Sequence, residues 1–180
     1  MQTTLVYKNI YVGPGQEVAE IFSNLNAGNT FGGWRGGDIG VLNVADDYFP
    51  NMHYRNAIYI EVGLNDGSSD HSKPYGPANP IAAYWNACLA LDFLSRTRKA
   101  VFVYCHEGVS RSPFVVALYM WKTEGGDFEE ALTRLKTVYN RASPHPKHNN
   151  GHMLSKLTGF KLPKFLFYGL CDKEDKNRIG

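Results

Sequence analysis

Cys105 and Arg111 bracket the loop His106-Glu-Gly-Val-Ser110, and Ser112 follows at once. These residue types at this spacing suit capture of an oxyanion. Val101 to Val103 reads as a short buried strand ending at Cys105, and Phe114 to Lys122 is apolar on nearly every face, as a buried helix is. A loop running into a helix N-terminus aims backbone N–H groups at one point, and the helix dipole adds positive character there. His106, Glu107, Gly108, Val109 and Ser110 would supply that cup. Arg111 would close it with a planar fork that holds two oxygens, which lysine cannot do. The same field favours a thiolate, the nucleophilic form of cysteine. Ser112 is placed to offer a hydroxyl near the sulfur. The bland alternative is a structural core cysteine beside a surface arginine. The strand, Gly108, Ser110, Ser112 and the helix together favour the chemical reading.

The elements that must position this loop follow from periodicity. Leu5 to Val12 reads as one or two short strands, with Gly13-Pro14-Gly15 as a break. Val18, Ile21, Phe22 and Leu25 fall on one face of a helix that Gly28 ends. Residues 29–37, glycine-rich with Phe31 and Trp34, read as a surface loop. Ile39 to Val44 is nearly all apolar, hence an interior parallel strand. Ala57 to Leu64 alternates through Ile58, Ile60 and Val62. Asn79-Pro80 forms a cap and first turn for a helix that buries Ile81, Tyr84, Trp85, Cys88 and Leu91. After Gly125 and Gly126, Asp127 and Glu130 resemble a capping box. Phe128, Ala131, Leu132, Leu135 and Val138 then line one face. Strands alternating with helices imply an α/β domain, with a mainly parallel central sheet flanked by helices on both faces.

Cys105-His-Glu-Gly-Val-Ser-Arg-Ser112 resembles the signature of the cysteine-dependent protein tyrosine phosphatases, and its dual-specificity branch in particular. Ile10-Tyr-Val-Gly13 and Val41-Leu-Asn-Val44 also resemble that family's early strands, in the same order. The resemblance implies the tyrosine phosphatase fold. It also implies a phosphorylated protein or peptide substrate and hydrolysis through a cysteinyl-phosphate. Cys105 would be the nucleophile, Arg111 and the loop the phosphate holders, and Ser112 the aid to thiolate departure. Lining up Tyr59-Ile-Glu-Val-Gly-Leu-Asn-Asp66 with the family's strand before the long helix makes Asp66 the general acid, with Asp70 the runner-up. Both aspartates also suit a turn. No metal or other cofactor is expected, because Arg111 and the loop amides neutralise the phosphate.

One residue departs from the pattern. The family usually carries histidine immediately before the cysteine, and here the residue is Tyr104. That keeps a phosphate-binding module without turnover in view. An RNA 5′-phosphatase or a phosphoinositide phosphatase would share the loop, but its surroundings tend to be more basic. An arsenate-reductase-like redox enzyme would place its loop near the N-terminus, with further cysteines arranged around it.

The chain of 180 residues is 43% hydrophobic and 20% charged, with a net charge of +2. That is ordinary for a globular domain and too weak a charge to argue for nucleic acid or membrane. We expect one catalytic domain over residues 1–171 and a charged, disordered tail over 172–180. Three cysteines without a framework, and no basic or apolar leader in Met1-Gln-Thr-Thr-Leu5, suggest a reducing cytoplasmic setting. Cys88 reads as core. Relatives that protect their nucleophile by a disulfide also make a Cys88–Cys105 pair conceivable. Residues 67–79 read as a lid beside the acid or as an idle insertion. His145, His148 and His152 read as turn histidines rather than metal ligands. Pro146, Asn149 and Gly151 resemble the family's turn into a last helix, buried through Met153, Leu154 and Leu157. Residues 160–170 would pack back on the body.

Overall fold

The computed structural model describes residues 1–50, 53–65 and 81–144. Strand β1 (Thr4–Tyr7) turns through Lys8, at φ 49°, into β2 (Ile10–Pro14). Helix α1 (Gly15–Asn26) follows without a gap, so the expected break at Gly13 is strand instead. Then come β3 (Ile39–Ala45), β4 (Ile58–Leu64), α2 (Ile81–Thr97), β5 (Ala100–Cys105), α3 (Arg111–Glu124) and α4 (Phe128–Val138). The strands lie in the order β1-β2-β5-β3-β4, with only the β1–β2 pair antiparallel.

Burial follows that order. The near-continuous apolar runs of β3 and β5 are buried at every position, as interior strands covered on both faces should be. The edge strand β4 alternates instead, with Ile58, Ile60 and Val62 inward and Tyr59 and Glu61 outward. One core lies against α2, α3 and α4 and takes in Leu42, Val44, Leu91, Val103, Phe114 and Leu135. The other lies on the opposite face against α1, around Phe22, Val41 and Phe102. The expected mainly parallel sheet with helices on both faces is therefore present.

Two local expectations need correction. Residues 29–37 are not a plain surface loop. Phe31 and Trp34 bridge each other, and the Phe31 ring packs on Phe102 at 5.0 Å and on Tyr11 at 5.5 Å, sealing the α1-side core. Val138 does not line the buried face of α4. It is 52% exposed, because it lies at the helix end, where Leu135 is the last residue turned into the core. Asp127 caps α4, accepting from the Glu129 amide at 3.4 Å. Among the described residues, no helix is long and apolar enough to cross a membrane.

A polar pin ties α2 to α3. Asp92, buried on α2, accepts from the Tyr119 hydroxyl at 3.2 Å and from Arg96 Nε at 2.9 Å. Ser95 and Tyr119 share a bond of 2.9 Å. Asn9, in the β1–β2 turn, donates to the carbonyls of Ser95 and Arg98 and so fastens the same helix end to the sheet. Removing a shared buried acceptor strands its donors, at a cost of roughly 1–3 kcal/mol. Asp92→Ala should lower the stability from urea unfolding by about that amount with no change in the slope; a loss under about 0.5 kcal/mol would show that the pin is not shared.

Candidate active site

In a parallel sheet the strand C-termini share one edge, and a crevice forms there. Here that edge gathers Pro14 of β2, Ala45 of β3, Leu64 of β4 and Cys105 of β5. Cys105 is buried at the strand end, and its Sγ lies 3.4 Å from Ser112 Oγ on the first turn of α3. The loop between them is fastened from outside. His106 O accepts from the Gly15 amide at 3.0 Å, and Val109 O accepts from the Ser143 amide at 2.9 Å. In a trans peptide the next N–H points opposite to the carbonyl. Glu107 N–H and Ser110 N–H therefore face away from those donors.

Glycine is required where the loop meets the β2–α1 junction. Gly108 sits at φ +70°, and a Cβ there would lie 2.6 Å from the Gly13 backbone. A Cβ on Gly15 would meet the Tyr48 ring at 2.3 Å. At Gly108 the obstacle is backbone, which cannot move aside; at Gly15 it is chiefly the Tyr48 side chain, with the Cys105 carbonyl behind it at 3.1 Å.

Arg111 opens α3 and is only 1% exposed. A buried guanidinium needs anionic or carbonyl partners. Its Nη1 donates to Asp47 Oδ1 at 2.7 Å, to the Leu64 carbonyl at 3.0 Å and to Asp46 Oδ1 at 3.2 Å. Burial pushes the Asp46 carboxyl above its ordinary range; Arg111 pulls it back and Asp47 pushes it up further. The two aspartates did not emerge from sequence reasoning. The available signal was their place, immediately after an interior parallel strand and so on the same edge as Cys105.

Tyr104 points away from the thiol. Adjacent strand residues face opposite sides of a sheet, and Tyr104 belongs to the α1-side core while Cys105 belongs to the other. Its hydroxyl shares a 2.8 Å bond with Tyr54, and burial pushes both phenols up, so both stay protonated at neutral pH. On the loop itself, the His106 ring stacks on Tyr48, with centroids 4.7 Å apart and planes at 13°.

The described structure brings together Cys105, Arg111, Ser112 and the loop from His106 to Ser110. Asp66 and Asp70, the segment 67–79, the Pro80 cap and everything from His145 onward lie outside the described residues. That includes the three turn histidines, the Pro146–Gly151 turn, the last helix, Cys171 and the tail. Cys88 is a free thiol within the core, as is Cys105 at the site, so no disulfide joins them. Among the described residues, no group of three or more histidine, cysteine or carboxylate side chains could hold a metal.

A family profile described as "Dual specificity phosphatase, catalytic domain" matches residues 41–157. Rat dual specificity protein phosphatase 12 is 37% identical over 76 residues, which are 42% of this chain and 21% of that protein. The chain thus spans about a fifth of the length of the curated relatives it matches. Among solved structures, human DUSP28 superposes with a TM-score of 0.62 at 21% identity, over 87% of this chain and 92% of that one. A mouse protein assigned as a dual specificity phosphatase, complexed with zinc tungstate, gives 0.64 at 17% identity, over 96% and 93%.

The position of Tyr104 yields a test. Tyr104→Phe removes the bond to Tyr54 and should cost about 1 kcal/mol in urea unfolding. Turnover of an aryl phosphate should stay within about twofold, a difference well under 1.4 kcal/mol in the barrier. A hundredfold loss of kcat/KM would instead connect the hydroxyl network to the thiol.

Proposed function

Because the chain belongs to the dual specificity phosphatase catalytic-domain family, whose members are phosphoric monoester hydrolases, we propose that it hydrolyses phosphotyrosine and phosphoserine or phosphothreonine in proteins through a cysteinyl-phosphate. The observation that carries this reading is the Cys105 sulfur 3.4 Å from the Ser112 hydroxyl, at the end of β5, with the buried Arg111 opening the same helix as Ser112.

In the first step the Cys105 thiolate attacks phosphorus. The S–P bond forms, the ester O–P bond breaks, and Asp66 gives its proton to the departing oxygen. Arg111 and the loop amides hold the three equatorial oxygens as charge spreads over them. In the second step water attacks phosphorus and passes a proton to Asp66. The S–P bond breaks, and Ser112 donates a hydrogen bond to the leaving thiolate. The assignment of Asp66 draws support from its place in the chain, two residues beyond Leu64, whose carbonyl accepts from Arg111.

The loop rim favours a protein substrate over a polyanion. Glu107 is 71% exposed there and Asp46 and Asp47 flank the arginine, which would repel the neighbouring phosphates of RNA or of a phosphoinositide.

Cys105→Ser should abolish aryl phosphate hydrolysis while keeping oxyanion binding, and Arg111→Lys should lose both, since lysine keeps the charge but not the fork. Near-wild-type turnover in the serine protein would remove the covalent mechanism; near-wild-type turnover in the lysine protein would make Arg111 structural. Oxyanion binding without turnover in the wild type would indicate the non-catalytic module.

A second test concerns the acid. Asp66→Asn should cost little on an activated nitrophenyl ester and much more on phenyl phosphate or a phosphopeptide, whose leaving oxygens need a proton. The same dependence appearing in Asp70→Asn instead would move the acid to Asp70.

A further inference from the structure

We propose that Asp46 and Asp47 are positioning residues for the phosphate-binding arginine: held out from the end of β3, they fix the direction of the Arg111 guanidinium, and Asp47 bears most of that role. The inference rests on the reading of the cup as an oxyanion site.

Three acceptors crowd one end of Arg111. Asp47 Oδ1, the Leu64 carbonyl and Asp46 Oδ1 all lie within 2.7–3.2 Å of Nη1. That nitrogen has only two hydrogens to give. A planar guanidinium gripped at one terminal nitrogen and anchored by its own stem has little freedom to swing. A bidentate phosphate contact is strong only when that plane is aimed correctly. The shortest of the three bonds belongs to Asp47, and the backbone carbonyl cannot leave.

The segment carrying the two carboxylates is itself fastened at both ends, which a casual surface ion pair would not need. Asn43, fully buried in β3, accepts from the Ala45 amide at 2.9 Å just before the pair. Its side-chain amide donates to the Tyr48 carbonyl at 3.0 Å just after the pair, and to the Tyr59 hydroxyl on β4 at 3.1 Å. The β3–β4 register shifts between Asn43 and Ala45, so the strand end is bent where the turn begins. The Tyr48 ring then lies flat on His106 of the phosphate loop. The aspartates are thus pinned to β3, to β4 and to the very loop whose arginine they hold.

A rival role is competition: two carboxylates on the arginine could act as a stand-in anion that phosphate must displace. Another is proton donation, with one of the pair as the general acid. Each makes a different mark, and the experiment uses the full chain. Asp47→Ala, Asp47→Asn, Asp47→Glu and Asp46→Ala are compared in kcat/KM on nitrophenyl and phenyl phosphate, and in tungstate affinity by calorimetry. Asp47→Ala should lower kcat/KM by about 100-fold, the scale of a misplaced contact, and equally on both esters, because Arg111 holds the transferred group and not the leaving group. Tungstate should bind about tenfold more weakly, losing one well-aimed charge-assisted bond. Asp47→Asn keeps an acceptor oxygen and should recover most of both. Asp47→Glu keeps the charge but moves it one methylene outward, and should remain impaired. Asp46→Ala should lose less than Asp47→Ala.

Unchanged turnover and tungstate affinity in Asp47→Ala would overturn the proposal. So would tighter tungstate binding, which marks a competitor, and so would a loss confined to phenyl phosphate, which marks the acid. If the alanine protein fails to fold, the contrast between Asn and Glu decides. If the wild type binds tungstate but cleaves neither ester, the hydrolase reading fails and the clamp stands or falls on tungstate alone. If the wild type binds no tungstate, the cup is not an oxyanion site and both readings fail.

Discussion

A guanidinium that is almost wholly removed from water dictates much of this architecture. Arg111 cannot be neutralised by losing a proton, so its charge must be met by neighbours. Three separate elements meet there: the turn after β3 and the last carbonyl of β4 supply the acceptors, and α3 carries the arginine to them. None of these is near the others in sequence. The parallel sheet makes the arrangement available, because it delivers every strand's C-terminal end to one edge. Register along that edge is therefore a condition for the arginine to be buried at all.

The second constraint is steric. The loop from Cys105 to Arg111 and the β2–α1 junction approach so closely that Gly108 leaves no room for a side chain against the Gly13 backbone, and the Tyr48 ring fills the space beside Gly15. That contact, together with the bonds from the Gly15 and Ser143 amides, fixes the carbonyls of His106 and Val109. The start of the first helix and the segment after α4 thereby fix the loop that joins Cys105 to Arg111.

What could be read in the sequence and what could not divides along contact range. Cys105, the loop, Arg111 and Ser112 are contiguous, so strand-to-loop-to-helix patterning was enough to place them. The sheet class followed from the near-continuous apolar runs of β3 and β5 against the alternation in β4. The Arg111 partners were not legible, because Asp46 lies 65 residues away and nothing in Asp46-Asp47 distinguishes it locally from a solvated turn. The packing role of Phe31 and Trp34 was hidden for a similar reason: glycines around them signal a loop, and only the tertiary fold shows that two rings fold back over Phe102. Tyr104 was legible as a departure from the family pattern. Its orientation toward Tyr54 needed the sheet.

The stack of His106 on Tyr48 gives the site a reporter of its own. With centroids 4.7 Å apart and near-parallel planes, the imidazole carbon-bound protons lie in the shielding region above the phenol face. Their magnetic resonance signals are therefore displaced upfield by ring current, by an amount that depends steeply on the separation. Arrival of an anion in the loop that shifts His106 by a fraction of an ångström changes that displacement. An anion in the loop would thereby be reported by a residue at its rim, with no label added and no turnover required.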